Sequence, residues 1–366
     1  MAEHQGKRSD YGLEEYLATH GVSRRSFLKY CSAVAATLGL PLGMAEKVAA
    51  AVSGDNRPPI LWLHFQECTG DSEALLRASR PTAAELILDY LSIDYHETIM
   101  AAAGHQAEAA RQGTMEKYKG KYIAVVEGSI PTKDNGLHCC IGGHSAMEIA
   151  REVCGNAAAT ICAGTCSSYG GIQAAYPNPT GAVGVGELLP DIPLINLPGC
   201  PLNTSNLTAT IVHYLTFGSL PRMDAHKRPL FAYGKRIHDN CERRGHFDAG
   251  QYAETWGDEG HRQGWCLYKM GCKGPATFHN CPTVRWNDGI GWPVAQGHGC
   301  VGCSEPQFWD SMGPIYERLP NVPGFGVETS ATKVGLGLAA AAAAGVAVHG
   351  VAKTLQLRSK EADEEG

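Results

Sequence analysis

Six cysteines, with His238 three residues before the first of them, fall within the 66 residues from His238 to Cys303, in a stretch with almost no hydrophobic periodicity. These residues are His238, Cys241, Cys266, Cys272, Cys281, Cys300 and Cys303, separated by segments full of Gly, Pro, Trp, Asn and Asp. Neither the strand period of 2 nor the helix period of 3.6 organises such a segment. A chain of this kind folds when metal–thiolate bonds take over part of the work of an apolar core. Zinc sites usually show paired Cys-x-x-Cys units with four ligands. Only one such pair, Cys300 and Cys303, is present here. Disulfides are the other reading of fourteen cysteines.

The N-terminal half follows another rule. Short apolar runs end in loops that carry a cysteine. Ile60 to Phe65 leads into Gln66-Glu67-Cys68-Thr69-Gly70-Asp71, Thr160 to Ala163 into Gly164-Thr165-Cys166, and Ile192 to Leu197 into Pro198-Gly199-Cys200-Pro201. Tyr122 to Glu127 is a fourth strand candidate. Helical patterns lie between, at Ser72 to Ala78, Ala83 to Leu91 and Ala146 to Val153. Alternating strands and helices predict a parallel α/β sheet. Ligands in such sheets sit beyond the carboxyl ends of the strands. Cys68, Cys166 and Cys200 all fall there, so three distant thiols can meet in one crevice.

Both chain ends carry addresses. Ser23-Arg24-Arg25-Ser26-Phe27-Leu28-Lys29, before the apolar run Cys31 to Met44, has the form of a twin-arginine export signal, with Val48 to Val52 as the cleavage region. That route moves folded proteins, which suits cofactors inserted before export. At the other end, Lys333 and Lys353 bracket 19 uncharged residues rich in Ala and Gly. Such a run just spans a bilayer core of about 30 Å; a packed Ala-rich helix is the competing reading. His349 lies inside it, either approaching a haem in a partner or snorkelling to the interface. The net charge of −6 gives no footing for a nucleic-acid partner.

Taken together, Glu67-Cys68-Thr69-Gly70, Glu127-Gly128-Ser129-Ile130-Pro131, Gly164-Thr165-Cys166, Pro198-Gly199-Cys200-Pro201, His238-x-x-Cys241 and the series Cys266, Cys272, Cys281, Cys300 and Cys303 resemble the small subunit of membrane-attached [NiFe] hydrogenases. The resemblance runs from about Ile60 to about Phe308. It implies a flavodoxin-like sheet domain (52–230), a loop-rich iron–sulfur domain (231–325), an apolar C-terminal helix (331–353) and a charged, disordered tail (354–366), after a removed signal (1–51). It further implies a proximal cluster on Cys68, Asp71, Cys166 and Cys200, a distal [4Fe–4S] cluster on His238, Cys241, Cys266 and Cys272, and a medial [3Fe–4S] cluster on Cys281, Cys300 and Cys303. Pro293 stands where a fourth medial ligand is otherwise expected. The implied partners are a large subunit with the nickel–iron centre, the twin-arginine translocon, and a cytochrome b or similar acceptor at the periplasmic side of the membrane. A free-standing ferredoxin-like carrier would need neither the signal, the tail nor the sheet domain.

Asp71 is the departure, because the family usually has Cys there. Three readings stand: the carboxylate ligates iron, Cys162 or Cys139 substitutes, or the fourth iron is labile and Asp71 is a nearby acid. Gly70 and Gly171 occupy positions that hold two extra cysteines in oxygen-tolerant relatives, so a six-cysteine cluster is not available. Glu67 and Glu73 flank the first loop as proton carriers or as hydrogen-bond acceptors and caps. Cys139, Cys140, Cys154 and Cys162 are expected in the core, with Cys162 the candidate exception.

Overall fold

A computed structural model describes residues 24–53, 58–78, 91–287, 289–319 and 331–364. Five parallel strands form the sheet: β1 (Pro59–His64), β2 (Ser92–His96), β3 (Ile123–Glu127), β4 (Ala159–Ala163) and β5 (Leu194–Leu197). Their spatial order is β2-β1-β3-β4-β5. This is the doubly wound order whose switch point lies between β1 and β3. The central strands are mostly apolar and buried because helices cover both faces.

Period-2 alternation sorts the side chains. Ile60, Trp62, Ile123, Val125, Ile161, Ile195 and Leu197 face one layer, with Leu75 of α3 (Gly70–Leu76) and Leu207, Ile211 and Val212 of α7 (Thr204–Phe217). Leu61, Leu63, Ala124, Val126 and Cys162 face the other. There they meet Ala107 and Met115 of α4 (His105–Lys117) and Ile149, Ala150 and Val153 of α5 (Ala146–Gly155). Helix α5 begins with a capping box between Ser145 and Glu148. The expected strands are thus observed. Residues 83–90 of the expected second helix lie outside the described residues.

Cys162 is corrected by its place on β4. It is fully buried in the α5 layer beside Cys154 and Val126, so it packs core rather than substituting for Asp71. Cys139 packs against the rim of the same layer, and Cys140 is exposed.

The segment expected to be discarded is integrated into the fold. Helices α1 (Arg24–Thr37) and α2 (Ala45–Ser53) pack on α7. Phe27, Cys31, Val34, Ala35, Leu38, Val48 and Ala49 are buried in the α7 layer. Arg25 stays exposed while Phe27, two residues on, is covered.

From residue 231 to 319 regular structure shrinks to helical turns of three to five residues, as the missing periodicity predicts. The C-terminal helix is longer than expected: α8 runs Ala331–Glu364 and includes most of the tail read as disordered. Leu, Gln, Arg, Lys, Glu and Ala beyond Lys353 are good helix formers, so propensity carries the helix past its apolar part. Its Val334–Gln356 portion, 23 residues, is long and apolar enough to cross a membrane.

The arm gives a direct test. Cys31 has no exposed surface, and burial pushes its thiol up to about 12. In the intact, folded full-length chain Cys31 should resist alkylation while Cys140 reacts, with denaturation releasing Cys31. Peptide mass mapping reads the outcome, and equal labelling of the two in the folded protein would contradict the packing.

Candidate functional site

Strand β1 delivers the first cysteine. Its ladder to β3 continues beyond the strands, where Phe65 donates to the Glu127 carbonyl and Gln66 and Ser129 exchange backbone hydrogen bonds. The chain then turns through Thr69 at φ 61°, a left-handed position rare outside Gly, and enters α3 at Gly70. A fully buried carboxylate fixes this turn. Glu127, last residue of β3, accepts from the backbone amides of Asp71 (2.9 Å) and Ser72, from the Ser72 hydroxyl, and from the Trp62 indole (3.1 Å). The carboxylate therefore does the work of an N-cap at the positive end of α3. Behind it, His96 joins the Ser72 hydroxyl (3.2 Å) to His64 (3.3 Å), and His64 reaches Glu67 (3.3 Å).

Strands β4 and β5 deliver the next two. Cys166 lies in α6 (Gly164–Tyr169), which starts directly at the end of β4. Cys200 follows β5 by three residues. Thr165 ties their loops together. Its amide donates to the Gly199 carbonyl (2.9 Å), and its hydroxyl accepts from the Gly199 amide (3.0 Å) while donating to the Cys303 carbonyl. Cys166 feels the charges of Asp71 and Cys68, and Cys200 those of Cys303, Cys166, Asp71 and Cys68. The four expected proximal residues are therefore one group. Burial pushes the Cys166 and Cys200 thiols up to about 12. A cation is needed to hold such thiols as thiolates.

Asp71 is 8% exposed, and its Oδ1 accepts from the Leu202 amide at 2.6 Å. Burial first, then the Glu127 charge, pushes its carboxyl up to about 8. Glycines leave the space around it. A Cβ on Gly164 would fall 2.2 Å from Asp71 Oδ2, and one on Gly171 would fall 2.5 Å from Cys166 Sγ. A Cβ on Gly70 would lie 3.1 Å from Cys68 Sγ. Gly70 and Gly171 thus sit against two of these thiols.

The loop-rich segment supplies the remaining groups. Cys281, Cys300 and Cys303 line a cavity of about 760 Å³ with Pro293, Trp286 and Trp292. The buried Trp292 Nε1 has no hydrogen-bond partner. An unpartnered indole donor among the residues of a thiol-lined cavity suits inorganic sulfide, Cys200 at its edge belongs to the first group, and Pro293 offers no ligating atom, so Cys281, Cys300 and Cys303 fit a three-thiolate iron–sulfur cluster. His238, Cys241, Cys266 and Cys272 line a second, smaller cavity. Arg243 is nine-tenths buried beside it; its amide lies 3.4 Å from Cys241 Sγ and its guanidinium donates to the Trp265 carbonyl. All fourteen cysteines are free thiols, which removes the disulfide reading.

The segment is clamped to the sheet domain. The buried Arg228 donates to Asp224, to the Ser304 carbonyl and to Glu305 (3.0 Å), and Glu305 also accepts from the Phe278 amide. Asn206 and Asn280 exchange reciprocal amide hydrogen bonds. Tyr233 donates to the Pro198 carbonyl.

Glu127 and Thr165 lie in segments that stand out in the sequence, but no sequence signal marks their roles. Glu67 accepts from Thr69 and contacts His64, so it acts as a hydrogen-bond acceptor in the first loop. Replacing Glu127 by Ala leaves two amides, a hydroxyl and an indole without their acceptor. The expected cost is about 3 kcal/mol or more, read as a drop in the urea midpoint of the complex. Glu127→Gln, which keeps one acceptor, should lose less.

The C-terminal family model of the NiFe/NiFeSe hydrogenase small subunit matches residues 233–316. That of the NADH ubiquinone oxidoreductase 20 Kd subunit matches residues 68–214. The uptake hydrogenase small subunit of Azotobacter vinelandii is 47% identical over 349 residues, covering 95% of this chain and 97% of its own. The quinone-reactive Ni/Fe-hydrogenase small chain of Wolinella succinogenes is 48% identical over 353 residues, covering 94% and 99%. Among solved structures, the reduced, active Ni-Fe-Se hydrogenase of Desulfomicrobium baculatum is 36% identical with a TM-score of 0.68, covering 72% of this chain and 99% of that one. The actinobacterial-type NiFe-hydrogenase of Ralstonia eutropha H16 is 26% identical with a TM-score of 0.67, covering 77% and 88%. With its thiol-bearing strand ends and its clamped loop segment, this chain belongs to the small subunits of the NiFe hydrogenases, an iron–sulfur family of oxidoreductases.

Proposed function

We propose that this chain relays electrons from hydrogen oxidation on a NiFe-bearing large subunit to an acceptor in the membrane. Cys68, Asp71, Cys166 and Cys200 would hold a proximal [4Fe–4S] cluster. Cys281, Cys300 and Cys303 would hold a medial [3Fe–4S] cluster, and His238, Cys241, Cys266 and Cys272 a distal [4Fe–4S] cluster. When bound, the three clusters supply one-electron stations in series. One observation carries the reading: the loops that hold successive ligand sets are joined by direct hydrogen bonds. Cys200 and Cys303 line one cavity, and the hydroxyl of Thr165, beside Cys166, donates to the Cys303 carbonyl, joining the first set to the second. The Cys300 amide donates to Cys272 Sγ at 3.2 Å, joining the second set to the third.

Asp71 stands in for the fourth proximal thiolate. Its buried carboxylate lies among three thiols with no cation beside it among the described residues. An iron supplies the positive charge that such a carboxylate needs to stay ionised. His238 gives the distal set one neutral ligand, which raises the potential of the last station relative to a four-thiolate one.

The quinone-reactive relative and the apolar stretch Val334–Gln356 support a membrane acceptor, either a cytochrome b or the quinone pool it serves. The Arg24-Arg25 motif supports export as a folded, cofactor-loaded complex through the twin-arginine translocon to the periplasmic side.

Anaerobically prepared heterodimer should carry about eleven irons on this chain, with electron paramagnetic resonance signals from one three-iron and two four-iron centres. Iron far below that number would overturn the reading. Asp71→Cys should keep the proximal cluster and shift its potential downward, because thiolate donates more charge than carboxylate. An unchanged proximal titration would remove Asp71 from the ligand set.

A further inference from the structure

One cation is built into the junction between the medial and distal ligand sets. Lys273 follows Cys272 directly and is only 1% exposed. Its amide donates to the Cys300 carbonyl at 2.7 Å, and the Cys300 amide donates back to Cys272 Sγ at 3.2 Å. The Lys273 backbone is therefore half of the bridge between the two sets. Its ammonium reaches the other way and donates to the carbonyls of Pro314 (2.9 Å) and Glu317. Both acceptors are neutral, and among the described residues no carboxylate oxygen lies within ion-pairing distance of Nζ. A Cβ on Gly271 would collide with the Tyr316 carbonyl carbon at 2.4 Å, so the chain before Cys272 lies flat against the same segment.

A buried ammonium held only by carbonyls is costly to maintain. Carbonyl dipoles satisfy its donors, and the charges that face it are those of Cys272, Glu317 and Cys300. A charge out of contact with water is screened little, and it acts over the distance to both neighbouring sites. Adding an electron to a thiolate-bound cluster adds negative charge, and a fixed positive charge nearby favours that reduced form.

We propose that Lys273 is a positioning residue whose buried charge raises the potentials of the medial and distal clusters together. The proposal rests on the assignment of Cys272 and Cys300 to adjacent clusters. Because the ammonium also grips Pro314–Glu317, the same side chain fixes the loop that precedes the apolar helix against that cluster pair.

The test uses the complete heterodimer carrying Lys273→Met, Lys273→Gln or Lys273→Arg, with potentials read by redox titration under electron paramagnetic resonance. Lys273→Met removes the charge. Lys273→Gln removes it too but keeps a donor for the carbonyls, so it carries the test should the Met variant fail to assemble. The expected result is a downward shift of both the medial and distal midpoints in the two neutral variants, the proximal midpoint staying in place as an internal reference, and recovery in Lys273→Arg. Unchanged midpoints in a fully loaded neutral variant would overturn the proposal, even if proteolysis near Pro314–Glu317 quickened, since that pattern belongs to a structural clip alone. Failure of the underlying cluster assignment looks different: the unsubstituted complex would itself lack the three-iron or the second four-iron signal.

Discussion

The Glu127 carboxylate is the interaction on which the first thiol group depends. It closes the central strand β3, has no exposed surface, and is satisfied almost wholly by donors from one turn of α3. Those donors flank Asp71 and follow Cys68 by a few residues, so the acid decides where both point. Glycine and the left-handed Thr69 give this turn its shape, but shape alone leaves the first amides of α3 without acceptors. A charged acceptor supplied by the neighbouring strand converts a flexible loop into a fixed one. The same logic recurs in the second half of the molecule, where Arg228 and Glu305 join strand-end loops to a segment that has little regular structure of its own.

The sequence made the α/β half legible because strands here are short apolar runs with sharp ends, and each end of interest carries a cysteine. Parallel packing then forces those ends to one edge of the sheet, so Cys68, Cys166 and Cys200 meet without any local signal for it. The loop-rich half was legible in a different way. Absence of periodicity and abundance of Cys, Gly and Pro between 238 and 303 say that regular elements will be few, and helical turns of three to five residues are what form.

Other features needed tertiary context. Cys162 stands four residues before Cys166, which suggests a shared site; the pleat of β4 sends it to the opposite layer, between Val126 and Cys154. The N-terminal arm looked separable because its composition is that of an export signal, yet amphipathic helices of small and apolar residues also fit the open face of α7. The tail beyond Lys353 looked disordered from its charge, whereas helix propensity, started by the apolar span, carries it to Glu364. Glu127 and Thr165 were visible as residues but not as hinges of the architecture, because a side chain that organises several loops leaves no trace in the order of the sequence.

Thr165 has a consequence of its own. One small side chain touches the Gly199 loop and the Cys303 loop while its backbone leads directly into Cys166. The spacing between the first and second thiol groups is therefore set by a few covalent bond lengths rather than by the breathing of two domains. In the proposed relay, where electron tunnelling would decay steeply with separation, a gap fixed by a single hydroxyl would give each molecule in a population nearly the same transfer rate. Thermal motion that loosens the outer loops leaves that gap untouched so long as the threonine keeps its three contacts.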